Sequence, residues 1–261
     1  MSDWHVQDTG PKEAPRLLFL HGFMGTPKEW RPIVEALSTT YRCITVTWPG
    51  HDGQPLPSTP LHFSNLSRSL LDTLDKHALL PCVWVGYSMG GRLALYTATQ
   101  SPASCTRLII ESSQPGLDNP VERQTRASID TKRAQTIIEK GLPAFLKTWY
   151  QAPLFQSMQR DHTLMKQLSV WRQQQQKEHM ARIIEELSPG RQPSCWSSLP
   201  SLSMPVHLLC GQLDTKYTSL MQEMQRALPH ATLCSLPDAG HNTHLEQPHA
   251  FLRALQSALR A

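Results

Sequence analysis

Six short apolar runs mark the two ends of the chain: RLLFLHG (16–22), RCITVTW (42–48), CVWVGY (82–87), TRLIIES (106–112), PVHLLCG (205–211) and ATLCSLP (231–237). Their hydrophobic character is nearly continuous rather than alternating, the pattern of strands covered on both faces of a parallel sheet. Between them, apolar residues recur at three-to-four spacing and predict helices over 28–39, 63–79, 89–100, 216–228 and 247–260. Strands alternating with helices predict an α/β fold: a mostly parallel sheet with helices on both faces. From Glu111 to Pro205 no good strand candidate occurs. VERQTRASIDTKRAQTIIEK, LPAFLKTWYQAP, DHTLMKQLSVWRQQQQ and EHMARIIEELS read instead as short helices, followed by a Pro/Ser-rich return. An insertion here would lie above the carboxyl ends of the strands, where ligands bind in such sheets. The expected organisation is a core of 1–117 and 201–261 carrying a helical lid, 118–200.

The bulk numbers describe one ordinary domain: 261 residues, 39% hydrophobic and 18% charged, with only Gln173 to Gln176 as a low-complexity run, expected on a solvated helix face. A net charge of +4 is too small to argue for nucleic acid, but its placement matters. Residues 118–191 hold 12 Lys/Arg against 8 Asp/Glu, so the whole excess lies in the insertion. Most of those groups are expected on a solvated surface, with a few available to an anionic ligand. The six cysteines form no C-x-x-C and look like buried thiols of a reducing compartment. MSDWHVQDTG lacks the basic and apolar regions of a secretory leader, and no apolar run approaches the roughly 18 residues of a membrane span. The expectation is a cytoplasmic protein without membrane insertion.

The chemistry centres on GYSMGG (86–91), a G-x-S-x-G pattern placed after a predicted strand and opening a predicted helix. Such a turn puts the Ser88 hydroxyl at a helix N-terminus, where backbone N–H groups favour developing negative charge. The N–H groups of Phe23, in the loop after the first strong strand, and of Met89 are the expected oxyanion donors. His21 reads as a loop-packing residue. In the chain order Ser, acid, His, Asp214 after LLCGQL supplies the acid and His241 in PDAGHNTH the base, with Glu111 as the alternative acid. Asp238 lies too close to His241 in sequence to be its partner, and His244 is assigned to the start of the last helix. The His241/His244 spacing lacks the Glu of a helical zinc motif, so no metal is expected, and nothing calls for a cofactor.

Arg92 stands four residues after Ser88, on the same helix face. A guanidinium on a well-covered helix must find an anion or lose several kcal/mol in desolvation. The partner is either a structural carboxylate or one belonging to a substrate, for which arginine offers bidentate geometry. The insertion adds Arg123 and Arg126, the pair Trp149-Tyr150, and Arg172 beside Trp171. Amphipathic rings interspersed with arginines suit a small polyanion with a ring or apolar body.

GYSMGGR, IIESSQPGL, ERQTR and TWYQAP together resemble the 2-succinyl-6-hydroxy-2,4-cyclohexadiene-1-carboxylate synthase (MenH) family, lyases of menaquinone and phylloquinone biosynthesis with an α/β-hydrolase fold. The likeness runs from LLFLHGFMGTPKEW and WPGHDG to LLCGQLD and AGHNTHLEQP. It implies elimination of pyruvate from 2-succinyl-5-enolpyruvyl-6-hydroxy-3-cyclohexene-1-carboxylate, a small tricarboxylate, without addition of water. By the same resemblance Ser88 and His241, oriented by Asp214, abstract the proton. Arg92, Arg126 and Arg172 hold carboxylates, and Tyr87, Trp149 and Phe155 shape the pocket, with Gln114 a further pocket candidate. The alternative is a serine carboxylesterase or carbon–carbon bond hydrolase of the same fold; a non-catalytic binding module would not need the three triad residues intact.

Overall fold

The computed structural model describes residues 4–260. The six apolar runs form six parallel strands: β2 (Arg16–Leu20), β3 (Arg42–Thr47), β4 (Cys82–Tyr87), β5 (Cys105–Glu111), β6 (Val206–Gly211) and β7 (Ala231–Leu236). A further strand, β1 (His5–Thr9), pairs antiparallel with β3, and the sheet order is β1-β3-β2-β4-β5-β6-β7. The sequence reading missed β1 because HVQDT, on the sheet edge, alternates exposed with half-buried residues and has no apolar run.

Nine helices connect and cover the sheet among the described residues: α1 (Arg31–Leu37), α2 (Phe63–Lys76), α3 (Met89–Gln100), α4 (Pro120–Trp149), α5 (His162–Gln173), α6 (Lys177–Glu186), α7 (Thr215–Ala227), α8 (Thr243–Glu246) and α9 (Pro248–Arg260). The period-two side-chain alternation of each strand sorts the core into two layers. Leu18, Leu20, Trp84, Leu108, Ile110 and Leu208 face α2, α3 and α7. Leu17, Phe19, Val85, Ile109 and Leu209 face α1 and α9. Each such side chain is worth about 1.5–3 kcal/mol on full burial, which is why the strands read as continuous apolar runs.

Residues 118–200 contain no strand. Asn119 caps α4 by accepting from the N–H groups of Val121 and Glu122, and Pro120 opens it. Two stretches read as separate helices are joined in α4, which kinks at Gly141 (φ 76°) just before Pro143. The helical segment is tied to the core by Arg182, which donates to the carbonyls of Pro57 and Thr59, and by Glu186, which accepts the Leu61 N–H at 2.7 Å. The glutamine run departs from the solvated-face expectation at one position. Gln175 is buried and accepts the Asp52 N–H at 2.8 Å, because the chain leaves the helix there and turns onto the loop after β3. Five of the six cysteines are buried, and Cys234 is exposed. No helix among the described residues is long and apolar enough to cross a membrane.

The site is positioned by a close backbone contact at the start of α3. A Cβ on Gly90 would lie 2.2 Å from the Leu20 carbonyl oxygen, and one on Gly86 would lie 2.7 Å from the Gly91 Cα. The helix thus sits closer to β2 and β4 than any side chain would permit. Gly90→Ala is expected to destabilise the protein by roughly 3 kcal/mol, because the groups it would meet, the carbonyls of Leu20 and His21, are backbone and cannot rotate away. Urea unfolding measures this, and an unchanged midpoint would contradict the contact.

Candidate active site

The end of β4 delivers Ser88 in a sparsely populated conformation, φ 49° and ψ −110°. Residues are held in such conformations at a cost of about 1–3 kcal/mol, and here the neighbouring strand provides the restraint. The Ser88 N–H donates to the Glu111 carbonyl at 2.9 Å, and the Ser88 carbonyl accepts from the Ser113 hydroxyl at 2.7 Å. The side chain is left to face the cavity. Its Oγ lies 3.2 Å from His241 Nε2, and His241 Nδ1 lies 2.8 Å from Asp214 Oδ2.

Asp214 ends the turn after β6 and caps α7, its other oxygen accepting the Tyr217 N–H at 3.2 Å. This leaves the carboxylate aimed at the ring, with Nδ1–H of His241 donating to it and Nε2 free to accept from Ser88. The imidazole is wedged by rings: Tyr217 at 4.6 Å, Tyr87 at 5.5 Å and Phe155 at 6.0 Å between centroids. Ser88, His241 and Asp214 are thus joined in one hydrogen-bonded chain. Glu111, the alternative acid, turns away and pairs with His244 instead. The two histidines considered as a metal pair therefore serve different carboxylates.

His21 packs beneath the site. Nδ1 lies 2.9 Å from the Gly22 carbonyl oxygen, and Nε2 faces the Trp48 N–H at 3.4 Å. Burial lowers its pKa to about 4. Burial, with the charge of His21 adding to it, also lowers His51 well below the ordinary range, and His51 Nε2 accepts the Met24 N–H. These two rings hold the loop that carries Phe23.

Above Ser88 opens a cavity of about 490 Å³, lined by Phe23, Tyr87, Ser88, Met89, Arg92, Arg126, Trp149, Phe155, Arg172, Asp214 and His241 among others. The triad, both oxyanion donors, Arg92, Arg126, Arg172, Tyr87, Trp149 and Phe155, all singled out in the sequence, contribute to that lining. Gln114 and Arg123 do not. Gln114 is buried with its Nε2 3.5 Å from the Tyr217 hydroxyl, and Arg123 donates to the carbonyls of Leu117 and Gln192. Trp171 packs in a separate small cluster with Phe155, Met158 and Leu168.

The three arginines differ in what already holds them. Arg92 is buried, and its Nη1 donates to the Leu187 carbonyl and to Gln192 Oε1, both at 2.9 Å, while the guanidinium lies 5.3 Å from the Phe63 ring centre. No carboxylate pairs with it among the described residues. Burial, reinforced by the nearby charge of Arg126, lowers its pKa to about 10, so it stays cationic at neutral pH. Arg126 is bound to Asp130 at 2.7 Å, but that carboxylate is shared with Arg133 at 2.8 Å and with the Ser188 hydroxyl. Arg172 reaches the cavity wall already paired with the buried Glu29. Burial alone would lower its pKa, but the Glu29 carboxylate and the Tyr150 hydroxyl beside it raise it instead. The structure therefore places Arg172 differently from Arg92: its charge has an internal counterion.

Arg133, Lys216 and Tyr217 are among the lining residues not singled out in the sequence. Arg133 stacks 5.1 Å from the Trp149 ring centre. Lys216 is exposed at the rim, its pKa lowered by partial desolvation and by Arg126. Tyr217 packs on the catalytic-type imidazole, its hydroxyl pushed up in pKa by burial. The signal for the last two was their place directly after Asp214, since α7 must begin at the rim. The lining then carries five cations, Arg92, Arg126, Arg133, Arg172 and Lys216, against the carboxylates of Asp130 and Asp214, with Glu29 behind Arg172. Such a wall is built for an anion of several charges.

A family model described as the alpha/beta hydrolase family matches residues 17–254. The 2-succinyl-6-hydroxy-2,4-cyclohexadiene-1-carboxylate synthase of Salmonella paratyphi C is 34% identical over 96% of this chain and 96% of its own length. Protein PHYLLO, chloroplastic, of Arabidopsis thaliana is 31% identical over 97% of this chain, which matches 16% of that longer protein. The solved structure of MenH from S. aureus superposes with a TM-score of 0.94 at 27% identity, covering 100% of this chain and 98% of that one.

The buried neutral histidines carry a pH consequence. Unfolded His21 binds a proton below about pH 6.5, whereas the folded ring does so only near pH 4, so stability falls as pH drops through that window. Between pH 7.5 and 5 the wild type is expected to lose about 2 kcal/mol more than a His21→Gln variant, for which chemical denaturation at both pH values is the measurement. Equal losses would show that His21 is not buried neutral.

Proposed function

The chain belongs to the alpha/beta hydrolase family and, within it, to the 2-succinyl-6-hydroxy-2,4-cyclohexadiene-1-carboxylate synthases, and we propose that the cavity above Ser88 performs that family's elimination. The protein is a lyase of menaquinone or phylloquinone biosynthesis that converts 2-succinyl-5-enolpyruvyl-6-hydroxy-3-cyclohexene-1-carboxylate to the 2,4-cyclohexadiene and pyruvate. The observation that carries the assignment of this site is Arg92: a buried guanidinium on the cavity wall, four residues after the serine, held among the described residues by a carbonyl, an amide oxygen and a ring. A neutral ester would leave it without an anion, whereas a tricarboxylate supplies one.

The names of substrate and product define the bond changes. The proton on C2, the carbon bearing the succinyl group, leaves, a C2–C3 double bond forms as the existing C3–C4 double bond shifts to C4–C5, and the C5–oxygen bond to enolpyruvate breaks. Enolpyruvate regains a proton as pyruvate, so no water is consumed. The succinyl arm joins the ring through a ketone, so removal of the neighbouring proton puts negative charge on that ketone oxygen.

Ser88 and His241 form the base in this reading. His241 Nε2 accepts from the Ser88 hydroxyl and Asp214 stabilises the imidazolium, so the pair takes up a proton without an acyl intermediate. The N–H groups of Phe23 and Met89 flank the serine with no intramolecular acceptor among the described residues, and they supply the donors for the enolate oxygen. Arg92 anchors one carboxylate. Arg126, sharing Asp130 with Arg133, retains partial charge for a second, and Lys216 extends that positive field at the rim. Arg172 contributes through the part of its guanidinium that faces the cavity beside Glu29. Trp149, Phe155 and Tyr87 enclose the ring and exclude water from the carbanion.

Purified protein added to freshly made substrate is expected to release pyruvate, followed by coupled lactate dehydrogenase, well above the spontaneous rate. Ser88→Ala is expected to abolish that release while the substrate still binds. Arg92→Ala is expected to lower kcat/KM by about two to three orders of magnitude, equivalent to roughly 3–4 kcal/mol for a buried charge-assisted contact. Pyruvate release no faster than the blank, combined with rapid turnover of neutral p-nitrophenyl esters, would return the triad to hydrolysis.

A further inference from the structure

A second acid–imidazole pair lies beside the triad, outside the cavity. Glu111, the last residue of β5, is completely buried, as is the His244 ring. Glu111 Oε2 lies 2.7 Å from His244 Nδ1, and Oε1 accepts from the Thr243 hydroxyl at 2.7 Å and the His244 N–H at 3.0 Å. The His244 ring is stacked on Trp30 at 3.9 Å and 17°, and its Nε2 is buried without a partner. Neither Glu111 nor His244 lines the cavity, so neither touches a ligand there.

What Glu111 does touch is both halves of the proposed base. Its carbonyl oxygen accepts the Ser88 N–H at 2.9 Å, and its carboxylate grips the stretch two and three residues after His241. Tyr87 lies between the two imidazoles, 5.0 Å from His244 and 5.5 Å from His241. A buried carboxylate is costly, and a well-packed apolar residue would stabilise the fold as much or more. What an apolar side chain would lack is three directed acceptor contacts to one loop. We infer that Glu111 is a positioning residue that sets the separation of Ser88 Oγ and His241 Nε2, holding the serine turn with its carbonyl oxygen and the histidine loop with its carboxylate. The inference rests on the reading of Ser88 and His241 as the base.

Glu111→Gln keeps the side-chain volume and the carbonyl contact to Ser88 but replaces one acceptor by a donor that faces His244 Nδ1. Displacements on the order of 1 Å at a reacting group cost up to about a hundredfold in rate. The variant is therefore expected to lose roughly ten- to a hundredfold in kcat with KM within about threefold of wild type. Modification of Ser88 by a fluorophosphonate, which needs the serine and histidine but not the natural substrate, is expected to slow by a similar factor. Both rates are taken per folded molecule, from thermal melts of the same samples. Thr243→Val, which removes one of the three contacts, is expected to give a smaller change in the same two rates, and it serves if Glu111→Gln does not fold. Wild-type kcat and wild-type fluorophosphonate rates in a folded variant would overturn the inference, as would a loss confined to KM or to the folded fraction. If the wild type reacts with the fluorophosphonate but releases no pyruvate, the lyase reading fails, and the labelling rates of the variants still decide the role of Glu111.

Discussion

The approach of α3 to the sheet governs everything built above it. With no side chain on Gly90, the first turn of the helix rests against the carbonyl of Leu20, and the strand-to-helix turn before it must pass through the strained backbone of Ser88. That one contact sets where the helix axis begins. From it follow the direction of the serine hydroxyl, the exposure of the Met89 N–H at the helix N-terminus, and the placing of Arg92 one turn further on the same wall. A side chain at Gly90 would shift all three together, because they belong to one rigid element.

Charge is distributed over the cavity by what each guanidinium already holds. Glu29 satisfies Arg172, and Asp130 divides itself between Arg126 and Arg133, while among the described residues Arg92 is held by dipoles and a ring. A buried guanidinium without a counterion is costly, and in the proposed reading that cost is relieved by the carboxylate of an entering ligand rather than by the fold. Binding energy from carboxylates remote from the reacting carbon can then orient the ring against the base. The hydrogen-bonded Ser88, His241 and Asp214 would serve an esterase equally well. In the proposed reading, selectivity for elimination comes from the surrounding cations and rings, which select the molecule that fits and limit the water that accompanies it.

Two buried acid–imidazole pairs lie at the carboxyl ends of adjacent strands. Asp214 and His241 face the cavity, and Glu111 and His244 face the core. Trp30 and Glu29 are neighbours in the chain, so the segment that stacks on His244 also carries the counterion of Arg172. The helical segment, the histidine loop and the serine turn are thereby linked through contiguous packed groups.

Much of this was legible along the chain because it depends on local pattern. Continuous apolar runs specify buried parallel strands, three-to-four spacing specifies the helices, and G-x-S-x-G after a strand specifies the turn at Ser88. The order of Asp214 and His241 after it, and the arginine four residues on, completed the reading. The edge strand escaped because its residues alternate between exposed and half-buried positions without an apolar run, and the joining of two predicted helices into α4 was not visible either. The tertiary structure alone decided the pairings: that Glu111 holds His244, that Glu29 neutralises Arg172, that Asp130 is shared, that Gln175 is buried, and that Lys216, Arg133 and Tyr217 reach the cavity. Periodicity reports which face of an element is covered. Which charged group lies opposite another depends on how elements distant in sequence are packed, and that information resides in the fold rather than in any stretch of the chain.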